Sequence, residues 1–155
     1  MAGPCGSCTA CCRVYAIPAF NKPAGKWCDY CDIGRGCKAY ETRPKHECAD
    51  FECLWLEMKR LGHEPADDLR PDRCKVVFTP TPNKGLISAV TMPGHPNAFR
   101  KGAARRLIEG LVRTGKRVVA GPPATTTKVM IDQRGEREIE MSEPDENGMQ
   151  RSVQS

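Results

Sequence analysis

The stretch CGSCTACC, residues 5–12, sets four thiols within eight positions, and CDYC at 28–31 adds two more. Thiols at this density do one of three things: they pair as disulfides, exchange electrons as a dithiol, or hold metal as thiolates. Cys5-x2-Cys8 and Cys28-x2-Cys31, with 19 residues between the pairs, match the spacing of a four-thiolate zinc site. The reason is geometric. Two intervening residues let the chain turn so that both sulfurs lie about 2.3 Å from one ion, while backbone N–H groups can hydrogen-bond to the negative sulfurs.

A second partition is equally legal. Cys5-x2-Cys8-x2-Cys11 reproduces the first three ligands of the bacterial ferredoxin run, with a fourth supplied from Cys28, Cys48 or Cys53. The run departs from that pattern where Cys12 follows Cys11 directly and no Cys-Pro closes it. Adjacent cysteines do not point comfortably at one ion, so Cys11 and Cys12 serve two neighbouring sites, or one of them ligates while the other packs as a buried apolar thiol. Cys11, Cys12, Cys37, Cys48, Cys53 and Cys74 exceed what one four-thiolate site can use, which leaves room for a second metal. His46 can replace a thiolate or serve as an ordinary solvated histidine. Cys74 stands beside the β-branched run Lys75 to Phe78 and is either a ligand that closes the cluster or a core thiol. The Arg-Pro shared by RPKHEC and RPDRC favours the ligand.

Other chemistries have less to stand on. Residues 1–20 carry neither a basic n-region nor a continuous apolar h-region, so secretion and a disulfide framework are not expected. No apolar run reaches the length of a membrane span, and the chain is expected in the cytoplasm. A redox CxxC needs its first thiol at a helix N-terminus. Cys5 has only four residues before it and Cys28 reads as loop. DIGRGC and GKRVVAG lack phosphate-loop spacing, His63 and His95 read as loop residues, and no catalytic constellation is visible.

CGSCTACC followed by CDYCDIGRGCKAYETRPKHECADFECLWL resembles the YkgJ-like family, whose signature is CxxCxxCC and which is described as a zinc- or iron-chelating domain. The resemblance covers about residues 5–56, with LRPDRCKVVF at 69–78 as a similar continuation. It implies that Cys5, Cys8, Cys11 and Cys12 form the signature and that Cys28, Cys31, Cys37, Cys48 and Cys53 complete the cluster. It implies metal, zinc or iron, and no settled reaction; an iron–sulfur cluster stays open on the ferredoxin-like spacing of Cys5, Cys8 and Cys11.

The elements that must position these thiols differ between the two halves of the chain. Nine of the ten cysteines lie in the first 53 residues. Residues 1–74 carry 11 Lys+Arg against 11 Asp+Glu, and 75–155 carry 13 against 8, so the net charge of +5 belongs to the second half. With 6% aromatics, 27 Pro and Gly and a mean hydropathy of −0.52, burial alone holds the cysteine region loosely, and metal has to pin it. The expected class is α+β: a metal-stapled loop and helix region, 1–74, packed with a small antiparallel sheet and one covering helix, 75–141. Residues 142–155 read as a disordered tail. Phe51, Leu54, Trp55, Met58 and Leu61 predict a helix from Ala49 to Gly62, with Cys53 about 200 degrees around it from Trp55. CKVVFTP and GLISAVTM predict a hairpin, and KRVVAG and KVMIDQRGEREIEM further strands, the last pair turning at Arg134-Gly135. Between them Phe99, Ala103, Leu107, Leu111 and Val112 mark the apolar face of a helix ending at Gly115.

That helix carries Arg100, Lys101, Arg105, Arg106, Arg113, Lys116 and Arg117 near one acid, Glu109. Such a run is a solvated face, or it binds an acidic protein partner or the chain's own Glu143, Asp145 and Glu146. Nucleic-acid reading is not expected, because no aromatic interleaves with the charges.

Overall fold

The computed structural model describes residues 7–81, 85–146 and 149–153, with the side chains of His46 and Glu47 outside the description. Glycine and proline recur so often through the first half that only short elements form there. A single turn, α1 (Cys11–Val14), leads to a 3-10 turn, Pro18–Phe20, which Pro18 starts and Asn21 ends in the left-handed conformation at φ 56°. Ile17 and Lys22 then pair as an isolated bridge. A two-residue ladder follows, β1 (Cys31–Asp32) against β2 (Gly36–Cys37), antiparallel with Cys31 opposite Cys37. A π-helical turn, Lys45–Ala49, precedes α2 (Leu54–Arg60), whose N-cap is Cys53. The helix expected from Ala49 therefore starts five residues later, since the chain between Cys48 and Cys53 turns rather than coils. Another single turn, α3 (Pro71–Cys74), opens on proline and closes on Lys75 at φ 65°.

The second half forms a five-stranded sheet in the order β3 (Val76–Pro80), β4 (Leu86–Thr91), β5 (Arg117–Gly121), β6 (Thr127–Asp132), β7 (Gly135–Glu140). The class is α+β as expected. The sheet is mixed rather than wholly antiparallel. The 12-residue α4 (Gly102–Arg113) crosses over between β4 and β5, and a helix in that connection returns the chain parallel to the strand it left. The β6–β7 turn sits one residue earlier than expected. Asp132 pairs with Gly135, so Gln133 and Arg134 form the two-residue loop, and Gly135 takes φ +111°, which an L side chain resists.

The apolar face of α4 is likewise displaced by one position. Ala104 and Ile108 are fully buried, Ala103, Leu107, Leu111 and Val112 flank them at the edge of the core, and Phe99 belongs to a separate 3-10 turn, Ala98–Arg100, ahead of the helix. One hydrophobic cluster joins both halves, with Ala10, Val14, Cys53, Trp55 and Leu69 from the first and Val76, Val77, Phe78, Ile108, Val118 and Ile131 from the second. After β7 the chain turns back on the sheet. Met141 bridges Ser152, and Gln150 Nε2 donates to Thr125 O at 2.8 Å and Ser142 O at 2.9 Å. Among the described residues no helix is long and apolar enough to cross a membrane.

Candidate metal centre

The loops of the first half converge on one cavity of about 300 Å³ against β3. Eight cysteines line it: Cys8, Cys11, Cys12, Cys28, Cys31, Cys37, Cys48 and Cys53. Several local devices bring them there. Cys11 and Cys12 open α1. The Cys28 N–H donates to Cys12 O at 3.1 Å, and the Cys31 N–H to Cys28 O at 3.0 Å, which folds the CDYC segment into a tight turn beside α1. The β1–β2 ladder sets Cys37 across from Cys31. The Cys48 N–H donates to Pro44 O at 3.1 Å within the π turn, and Cys53 stands at the head of α2. Most of the rest of the wall is apolar, with Tyr15, Ile17, Phe20, Phe51, Leu56 and Val77, and Arg43, Asp50 and Glu52 also line it. Tyr15 packs on Phe51 with ring centroids 5.0 Å apart, and its hydroxyl meets Thr79 Oγ1 at 2.5 Å, tying the cavity to the sheet.

This setting favours the protonated form of three of the thiols, Cys12, Cys31 and Cys53. The Cys12 thiol hydrogen-bonds with Cys11 and Cys31; the contact with Cys11, then burial, pushes its pKa well up. Burial first, then the charge of Cys12, pushes Cys31 up to about 12. Burial also raises Cys53. A thiolate in this cavity therefore needs a positive charge beside it.

Lys22 brings one such charge, and nothing in the sequence singled it out. The residue is 7% exposed, and its Nζ donates to the carbonyls of Arg13, at 3.0 Å, and Tyr15. Burial lowers the pKa of the ammonium, while Cys28, Cys12, Cys11 and Cys48 oppose that loss.

The structure brings together eight of the ten candidate cysteines. Cys5 lies outside the described residues, as does the side chain of His46. Cys74 stands apart from the cavity. Its thiol lies 3.3 Å from both Leu69 O and Val76 O, packs at the edge of the hydrophobic core, and has its pKa raised by burial. Among the described residues the sulfurs are not drawn into a group of three or more with metal-holding geometry. They surround one space and would have to close on an ion.

The basic helix finds its acids within the fold. Arg105 pairs with Glu136 at 2.6 Å and Glu109 at 3.2 Å, Arg100 with Glu136 at 3.2 Å, and Arg106 with Asp68 at 3.1 Å. These partners sit on β7, α4 and the turn Asp67–Leu69. Arg100, Arg105 and Arg106 thus meet Glu136, Glu109 and Asp68, where the sequence had pointed to the tail acids Glu143, Asp145 and Glu146. Comparison with known proteins returned no matching family model, no matching curated protein and no matching solved structure.

Proposed function

We propose that this chain is a metal-binding cysteine-cluster protein of the YkgJ-like kind, which holds zinc or iron through thiolates and uses the metal mainly to pin its N-terminal loops. One observation carries the reading: cysteines from well-separated segments, residues 8–12, 28–31, 37, 48 and 53, line a single cavity although few regular elements connect them. Free cysteines scattered for packing alone have no reason to share one cavity, whereas ligands must. An iron–sulfur cluster that works in a redox, modification or maturation reaction is the second reading. The size of the space and its apolar wall favour it. Four sulfurs about 2.3 Å from a single ion occupy only part of a cavity lined by eight, and exclusion of solvent is one of the means by which a protein tunes such a cluster. The pairing of Arg100, Arg105 and Arg106 inside the fold leaves less charge for an acidic partner or nucleic acid.

Serine substitutions separate ligands from core thiols. Cys12→Ser, Cys28→Ser and Cys31→Ser should each lower the metal bound per chain, because a tetrahedral site tolerates loss of a thiolate poorly. Cys74→Ser should leave it unchanged. Full occupancy in all three cavity variants would remove the proposal.

A further inference from the structure

A second cavity, of about 280 Å³, shares Thr9 with the thiol cavity as a lining residue. We propose that it is a binding site for a small organic oxyanion: a carboxylate or phosphate group carried on a compact apolar body.

Three cationic or cationisable side chains, Arg13, Lys75 and His95, line this cavity from three separate segments of the chain. Its one carboxylate is already neutralised. Asp72 accepts two hydrogen bonds from Arg70, Nε at 2.6 Å and Nη2 at 2.7 Å, and this pairing holds the Asp72 carboxyl below its ordinary value although burial acts the other way. The cationic groups therefore face no competing charge inside the cavity. Ser7 and Thr9 add hydroxyls, and Trp27, Met92 and Pro93 add an apolar wall.

Arg13 makes the case specific. Its Nε is buried and donates to nothing among the described residues, and its guanidinium lies over the Trp27 ring with Cζ 5.3 Å from the centroid. A buried donor without an acceptor is costly, more so on a charged group. Arg13 also lines this cavity, and a guanidinium is the side chain whose planar donors best match carboxylate or phosphate. Neighbouring Lys22 and Trp55 have no such deficit, since each donates to backbone carbonyls. Cationic side chains, hydroxyls and an apolar wall around one space suit a ligand with an anionic head and a flat or compact apolar body. The inference does not depend on which metal the thiols hold.

The test uses the full chain as purified, labelled with ¹⁵N and titrated at constant ionic strength with inorganic phosphate and, separately, with benzoate. The indole N–H resonance of Trp27 should shift saturably with at least one of them. That of Trp55, whose Nε1 donates to Ala66 O at 3.2 Å, should stay. A response to phosphate alone assigns a phosphate head, and a response to benzoate alone a carboxylate head. Arg13→Gln should weaken binding about tenfold or more, the loss of a charge-assisted hydrogen bond. Lys75→Asn, which removes a charge while keeping a residue that tolerates the left-handed backbone, should also weaken it and guards against a folding defect in the first variant. Metal content measured on the same samples should not change. If neither anion moves the Trp27 resonance, or if the shift survives in both variants, the cavity is not an oxyanion site.

Discussion

At the scale of single residues, the thiols govern how the site responds to pH. Cys12, Cys31 and Cys53 all have pKa values raised in the metal-free fold, by neighbouring thiols and by burial. At neutral pH each ligand among them must lose a proton when it becomes a thiolate, and binding releases that proton. Metal affinity should therefore rise with pH by about one decade per pH unit for each proton released, as measured by competition titration between pH 6.5 and 8.5. An affinity flat across that range would mean that the ligands are already ionised. The sign for the metal-free chain is the reverse. Raised thiol pKa values mean that the folded state binds more protons than the unfolded one above the ordinary thiol value of 9.0, so stability falls as pH rises from there through about 12, where Cys31 titrates.

At the scale of elements, α4 and the sheet carry the stability that does not depend on metal. Ile108 is fully buried in the core cluster, and Ile108→Ala should cost about 2–5 kcal/mol in denaturant unfolding while leaving metal content intact. Replacing Arg105 and Arg106 together by Gln should cost far less, because their pairs with Glu136 and Asp68 are at least partly exposed. Loss of metal from either protein would show that α4 supports the thiol cavity more directly than its position implies. These elements were also the most legible in the sequence. The β-branched runs at 76–80 and 86–91 pair as a hairpin, and the helical stripe at 102–113 forms a helix. Its buried face was misplaced by one residue because Phe99, counted as part of the stripe, sits on a separate turn whose phase differs from that of the helix. Strand composition did not reveal the parallel pairing of β4 with β5; it was legible only in the order strand, helix, strand, because the α4 crossover sets the direction. In the cysteine region the signal was residue type and spacing rather than periodicity. That located the thiols, but it gave no sign of Lys22, because lysine is ordinarily exposed and nothing in the local pattern marks one that is buried.

At the scale of the whole molecule, one hydrophobic cluster joins a half with a five-stranded sheet to a half made of short helices, turns and a two-residue ladder. Where regular hydrogen bonding is sparse, metal-binding energy becomes folding energy. Chelation should therefore release amide protection across residues 8–53 while β4, β5 and β6 stay protected, as read by hydrogen exchange; unchanged protection in the cysteine loops would refute a structural role for the metal. The most direct measurement of the central claim is simpler. Elemental analysis should be combined with the visible spectrum of the chain purified without air. The chain should hold at least one equivalent of zinc or iron, colourless if zinc and absorbing in the visible if an iron–sulfur cluster is held. A fully folded chain that contains neither metal, and takes up neither when supplied with it, would contradict that claim.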